Sequence, residues 1–376
     1  MRYLDAQPLR AVHHDAHRTK MYKVEMRGKE SWMNVPPQTA LVLAAQASDQ
    51  AAFETLVNAY RRELLVHCYR MLGSLSDAED LVQETLLRAW EKRATLTSPQ
   101  SYRAWLYRIA TNLCLNRLRS VSRRSLPSEI SPPSDPSSPV PPRLLEPVWL
   151  EPFPDELLVD PQSNPEDQAL RHEQISLAFL VTLQHLTPTQ RAVLLLREVL
   201  EWPAVEVASW LDLSVPAVNS ALQRARHTLH QRHKENGSET PVAQPRPQLQ
   251  NLLDRYMTLW QQADVPGLVA LLREDAWLAM PPLPAWVQGR MAIATLLSLR
   301  IFTPDKQWRL LPTRANGSLA FGLYRREVGE DSYQLSSLWV LGMEGEQIGN
   351  IVVFLDVASF TAFGLPSTIE GEAGGQ

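Results

Sequence analysis

Apolar residues recur at three- and four-residue spacing from Ala40 to about Arg124. Phe53, Leu56, Val57 and Tyr60 form one such stripe, and Ala78, Leu81, Val82, Leu86 and Ala89 form another. That period predicts amphipathic helices over residues 40–124. Asp77 follows the turn GSLS and is placed to cap the second helix. The pattern stops at residues 125–168, where Pro127, Pro132, Pro133, Pro136, Pro139, Pro141, Pro142, Pro147, Pro152, Pro154, Pro161 and Pro165 forbid a continuous helix. Residues 169–234 return to the helical period. Thr187-Pro188 marks a helix start, Ala204 to Leu211 a short helix, Asp212-Leu213-Ser214 a turn, and Val215 to Leu229 a second helix capped by Ser214. After a short polar linker, 235–247, the pattern changes again. Two predicted helices precede the alternating segments SLAFGLYRRE, YQLSSLWVLGME and QIGNIVVFLD, which predict strands. Residues 1–39 and 366–376 lack steady periodicity and are expected to be disordered, and Met33 is a candidate start.

Charge sharpens this outline. The net charge of −4 over 376 residues would argue against nucleic acid, but the charge is segregated. Residues 77–91, DAEDLVQETLLRAWE, are acidic. From Lys92 to Ser128 there is no Asp or Glu, while Lys92, Arg93, Arg103, Arg108, Arg117, Arg119, Arg123 and Arg124 alternate with Tyr102, Trp105 and Tyr107. Cations for phosphates and rings for bases are what single-stranded nucleic acid requires. The acidic helix needs a different, basic partner. In 169–234, two short helices joined by a three-residue turn, the second one basic, match a helix-turn-helix, although a helical hairpin with a solvated basic face has the same pattern. Cys68 and Cys114 sit in apolar helical surroundings, which fits a reducing cytoplasm rather than a disulfide scaffold. No 18-residue apolar run exists, so no membrane span is expected, and the N-terminus lacks the apolar core of a secretory signal.

HCYRMLGSLSDAEDLVQETLLRAW and SYRAWLYRIATNLCLNRLR resemble region 2 of an extracytoplasmic-function (ECF) sigma factor of bacterial RNA polymerase, in the sigma-70 family. LTPTQRAVLLLREVLEWPAVEVASWLDLSVPAVNSALQRAR resembles region 4 of the same group. WLEPFPD, MPPLPAW and FGLP resemble the subgroup that carries a C-terminal SnoaL-like domain. The resemblance implies two all-α helical modules followed by an α+β SnoaL-like cone. It implies sigma region 2 at 40–124, a Pro-rich acidic linker at 125–168, sigma region 4 at 169–234, and a regulatory domain at 248–365. The partners implied are core RNA polymerase and promoter DNA, with regulation by an anti-sigma protein or by the C-terminal domain within the chain. No cofactor, no metal and no membrane partner are expected.

Carried onto this sequence, the resemblance places core polymerase on Asp80, Gln83, Glu84 and Arg88, which share one helical face. It places minus-ten promoter melting on Tyr102, Arg103, Trp105, Arg108, Asn112, Arg117 and Arg119. Trp105 shares a face with Ile109 and Leu113 and is equally a core residue by its spacing. The minus-thirty-five element falls to Ser214, Ala217, Asn219, Ser220, Gln223, Arg224 and Arg226, with Pro216 beside them. The linker, acidic through Asp155, Glu156, Asp160, Glu166 and Asp167, is either a mimic of RNA in the exit path of the polymerase or a passive tether.

SnoaL-like folds include cyclases and resemble ketosteroid isomerases, so an enzyme is the alternative reading of 248–365. The segment 252–264 predicts a helix with Leu253, Tyr256, Met257 and Trp260 inward, and 275–282 the first strand. Met280 stands where related isomerases carry a general base, and no His or Cys follows Glu235. Asp264 reads as a helix-terminus residue and Asp275 as a turn residue; Arg290, Tyr256 and Tyr324 complete the polar candidates. Met280, Trp277, Trp286, Trp308, Phe321 and Trp339 either line an apolar cavity or fill a core.

Overall fold

The computed structural model describes residues 37–96, 98, 101–144, 149–158, 175–235, 246–327 and 329–370. The expectations for residues 1–36, Met33 among them, for 371–376, and for Asp160, Glu166 and Asp167 fall outside these residues. The chain forms two compact units, one from 1–59 and 92–102 and the other from 60–91 and 103–376.

Within the first unit, helix α1 (Pro37–Gln46) and the start of α2 (Gln50–Leu72) bury Val42, Ala45, Phe53, Leu56 and Val57. Gln46 Nε2 donates to the Leu96 carbonyl at 2.7 Å, and Arg93 Nη2 to Ser48 Oγ at 2.7 Å.

The second unit holds the rest of α2, most of α3 (Leu75–Lys92) and α4 (Tyr102–Arg117). Ala78, Val82 and Ala89 of α3 are buried, as the three- and four-residue spacing requires. Asp77 is not the cap of this helix. Ser74 Oγ accepts the Asp77 N–H at 3.0 Å, and Asp77 lies within the first turn. Helices α5 (Leu177–Gln184), α6 (Pro188–Leu194), α7 (Ala204–Leu211) and α8 (Val215–Glu235) follow, with a π turn at Leu195–Val199 after α6. Thr187 and Gln190 form a reciprocal capping box on α6, with Pro188 in its first turn. Asp212 turns the chain in the left-handed conformation between α7 and α8, and Ser214 Oγ accepts the Ala217 N–H at 3.3 Å.

The C-terminal part begins with α9 (Arg246–Gln261) and α10 (Val265–Ala270), the latter capped by Asp264, whose carboxylate accepts the Gly267 N–H at 2.9 Å. Helix α11 spans Arg290–Leu296. The strands are β1 (Leu272–Ala279), β2 (Trp286–Gln288), β3 (Lys306–Ala315), β4 (Ser318–Glu327), β5 (Ser332–Glu344), β6 (Gln347–Phe354) and β7 (Thr368–Glu370). They form one sheet in the order β2-β1-β6-β5-β4-β3, with β7 also on β5. Among the described strands of this sheet, β1 and β6 pair in parallel and the other pairs are antiparallel. Asp275 is part of β1 rather than a turn, at an irregularity in its register, and pairs with Arg273 at 2.9 Å. This is the α+β domain expected from the alternation of 318–355.

The inside of the sheet is filled. Tyr256, Trp260, Phe302, Phe321 and Trp339 touch one another ring to ring, with centroids 5.0–5.9 Å apart. Phe321 and Trp339 are cross-strand partners. Each buried ring of this size contributes about 1.5–3 kcal/mol over an exposed one. Of the two readings of these aromatics, the packed core describes Phe321 and Trp339. Trp286 and Trp308 are half-buried, and their Nε1 atoms donate to the Ser131 and Ile301 carbonyls, each at 2.8 Å.

Candidate nucleic-acid and polymerase interface

On α3, the residues opposite the buried stripe are presented outward. Asp80 and Gln83 are exposed, and Glu84 and Arg88 keep about two-fifths of their side-chain surface while forming a 2.6 Å ion pair. One turn of helix separates Asp80, Glu84 and Arg88, so the sequence spacing does bring these four to one face. Leu87, at 61% exposure, lies among them.

The minus-ten candidates on α4 divide into three groups. Tyr102 is buried at 3% exposure, so its ring is not offered for base stacking in this conformation. Arg108, Asn112 and Arg119 are exposed, and Trp105 is half-buried. Arg103 and Arg117 are held by protein partners. Arg103 donates through Nε and Nη2 to Glu63 at 3.0 and 2.9 Å, and its guanidinium lies 5.2 Å from the Tyr107 ring and 5.4 Å from the Trp202 ring. Arg117 Nη2 bonds Asp77 at 2.7 Å, and Arg124 Nη2 takes the second oxygen of Asp77. Burial works to raise the Asp77 pKa, but the hydrogen bonds and charges of Arg124 and Arg117 outweigh it and hold the carboxyl below its ordinary value.

On α8, Val218, Ala221, Leu222 and Ala225 are buried, which leaves Asn219, Ser220, Gln223, Arg224 and Arg226 exposed. Ala217 is half-buried, and Ser214 is exposed while capping the helix. Pro216, His227 and His230 extend the exposed face. Arg226 is tied to Glu198 at 2.5 Å, a surface pair that competes weakly with phosphate. Asn, Gln and Arg on one exposed helix face of a helix-turn-helix carry the groups that match base edges and phosphates of a duplex.

Three contacts hold these surfaces in the observed arrangement, and sequence patterns did not disclose them. Arg191, 3% exposed, meets no carboxylate among the described residues. It donates to the carbonyls of Met71 at 2.5 Å, Leu183 at 2.9 Å and Leu186 at 3.4 Å, where helices α2 and α5 end. Burial, followed by the charge of Arg123, lowers its pKa to about 10. Gly73 has φ +72°, and a Cβ there would lie 2.5 Å from Leu150 and 3.0 Å from Gln184, so the linker and α5 close directly over this turn. Trp202 is the third, as the ring over Arg103. The only sequence mark of it is an aromatic residue before a proline.

The described parts of the linker are held by hydrogen bonds. The Glu151 N–H donates to the Gly73 carbonyl at 3.0 Å, the Glu151 carbonyl accepts from Tyr69 Oη at 2.7 Å, and its carboxylate accepts from Ser74 and Ser76. Residues 131–144 run beside β2 and the segment before it. Ser134 N–H bonds the Trp286 carbonyl at 2.7 Å, Leu144 N–H the Pro282 carbonyl at 3.3 Å, and Arg300 the Ser138 carbonyl at 2.8 Å. Asp155, 4% exposed, accepts from the Gly317 N–H at 2.8 Å and pairs with Arg314 at 3.2 Å.

In the C-terminal domain, Tyr256 is buried in the aromatic core, and the other polar candidates for catalysis are occupied or exposed. Tyr324 Oη donates to the Pro366 carbonyl at 2.7 Å, Asp264 caps α10, and Arg290 is exposed. Met280 packs against the core at the end of β1. Among the described residues, no group of His, Cys, Asp and Glu is arranged to hold a metal ion, and no helix is long and apolar enough to cross a membrane.

Profiles of known families match two stretches: Sigma-70 region 2 over residues 56–124, and Sigma-70, region 4 over residues 176–229. The ECF RNA polymerase sigma factor SigG of Mycobacterium tuberculosis (strain ATCC 25618 / H37Rv) is 44% identical over 320 residues, which cover 84% of this chain and 85% of that protein. ECF RNA polymerase sigma factor SigJ of the same strain is 28% identical over 217 residues, covering 58% of this chain and 61% of that one. The crystal structure of M. tuberculosis SigJ superposes with a TM-score of 0.53 at 21% identity, covering 82% of this chain and 98% of that chain, which shows a shared fold. The helical modules, their order and the 44% relative together show that the chain belongs to the ECF sigma factors, which join core RNA polymerase and direct promoter-specific initiation.

Proposed function

We propose that the four residues on the outer face of α3, Asp80, Gln83, Glu84 and Arg88, dock on core polymerase. The observation that carries this reading is their shared exposure on a helix whose other face is fully committed to the core. Arg103, Trp105, Arg108, Asn112, Arg117 and Arg119 of α4 read the minus-ten element. Tyr102 supports them from the interior. Ser214, Ala217, Asn219, Ser220, Gln223, Arg224 and Arg226 place α8 on the minus-thirty-five duplex. The protein works in the cytoplasm without a cofactor. In this chain the regulatory element is the C-terminal domain. That reading is supported by the domain's hold on the linker through Trp286, Pro282, Arg300, Arg314 and Gly317, and by Met280 standing where an isomerase needs a base.

Replacing Asp80 and Glu84 together by Lys tests the docking face. Both side chains are outside the core, so the helix content by circular dichroism should be unchanged. Core polymerase pulled down with the double variant should fall to background. Capture at wild-type strength would remove this face from the interface.

A further inference from the structure

Asn316 sits in the turn between β3 and β4, with φ +53° and no exposed surface. Its backbone N–H donates to the Phe153 carbonyl at 2.9 Å, and its Oδ1 accepts the Phe153 N–H at 2.9 Å. Its Nδ2 donates to Tyr69 Oη and to the Ile175 carbonyl, each at 2.9 Å. One amide thus spans the hairpin of the C-terminal domain, the linker, helix α2 of region 2, and the residue just before the Ser176 cap of α5. An Asn-Gly turn needs only a left-handed backbone, which glycine supplies at least as well. The side chain of Asn316 is therefore not needed to make the hairpin. Both groups of its side-chain amide and its backbone N–H bond outside the hairpin, and its neighbours Ala315 and Gly317 add the bridge to Pro154 and the bond to Asp155.

In the arrangement so held, Arg103 is engaged by protein partners while about two-fifths of its side chain stays exposed. It is closed between the Glu63 carboxylate, the Tyr107 ring and the Trp202 ring. Trp202 belongs to the helical module that begins at Ile175, the module whose first carbonyl Asn316 grips. If Trp202 moves away, Arg103 loses one of the two rings beside its guanidinium. We propose that Asn316 is a latch: its side chain holds the region 4 module on region 2, and its release precedes minus-ten reading by Arg103. This rests on the assignment of Arg103 to the minus-ten interface made above.

The test is the full-length Asn316→Gly protein, which keeps the left-handed turn and removes only the side-chain bonds. Hydrogen exchange reads the free protein, and multiple-round transcription with core polymerase reads function. The latch predicts at least tenfold faster exchange across residues 150–157, and at least tenfold more transcript at limiting protein. Tyr69→Phe, which removes the Nδ2 acceptor without touching the hairpin, should move both readouts in the same direction by less. Arg103→Ala should abolish the gain in the Asn316→Gly background. Unchanged exchange in a variant that transcribes normally would overturn the latch alone. Faster exchange with no gain in transcript would overturn its role in initiation. Core polymerase captured by neither protein would overturn the function proposed above, and the latch role with it.

Discussion

His67 shows how a single buried side chain sets a response to pH. It lies within the packed helices of region 2 at 2% exposure, with Nε2 2.9 Å from Thr111 Oγ1 and its ring edge-on to Tyr107 at 5.2 Å. Burial, aided by the nearby charge of Arg70, lowers its pKa from 6.5 to about 3. In the unfolded chain the same imidazole takes up its proton near 6.5. Between these values the unfolded state binds one more proton than the folded state, so acid favours unfolding. Stability from this site is complete above pH 6.5 and falls by about 1.4 kcal/mol per pH unit below it, until the folded ring itself protonates. Denaturant unfolding followed from pH 7 to pH 4.5 should show that slope in wild type and a shallower one in His67→Gln, which keeps a polar partner for Thr111. Equal slopes would mean that His67 is charged in the fold. The sequence shows a His in an apolar helix; that it is neutral follows only from the packing of α2 against α4.

At the scale of elements, the α8 face depends on periodicity more than on any one residue. Val218, Ala221, Leu222 and Ala225 fix which side is buried, and Asn219, Ser220, Gln223 and Arg224 are left outward by the same rule. Arg224→Ala should weaken binding to the upstream element by about 1–3 kcal/mol if its guanidinium pairs with a guanine edge, and by less if it meets phosphate. Titration of the polymerase-bound protein against promoter variants at two salt concentrations separates these. A phosphate contact loses affinity evenly across sequences and lowers the salt dependence. Unchanged affinity on all variants would take Arg224 out of the interface. The helices and strands were legible because each carries its period in adjacent residues: Thr187-Pro188, Asp212-Leu213-Ser214 and the segment 318–327 announce their own boundaries. The turn GSLS offers two hydroxyls before Asp77, and Ser74 rather than Asp77 caps the helix N-terminus.

For the whole molecule, the legible and illegible parts separate by sequence distance. The charge switch at Lys92 and the helix-turn-helix mark the two proposed DNA-binding surfaces by local pattern. The contacts that set their availability join residues far apart in the chain: Arg191 to Met71, Trp202 to Arg103, Asn316 to Tyr69 and Ile175. No periodicity encodes such pairs, and buried amides and cations of this kind look like ordinary surface residues in the sequence. The Pro-rich linker illustrates the same limit. Its composition predicts an extended segment, yet its path is fixed by backbone hydrogen bonds to Gly73, Pro282 and Trp286 that composition cannot reveal. Initiation by this protein is therefore expected to join two steps, docking through α3 and release of region 4 from region 2. The most direct test is to map the start sites of transcripts made on genomic DNA by core polymerase with and without the full-length chain. The account predicts a set of start sites absent with core enzyme alone, sharing sequence near minus-ten and minus-thirty-five, and lost with the Asp80→Lys, Glu84→Lys variant. Start sites identical to those of core enzyme alone, in a mixture where the chain is bound, would contradict it.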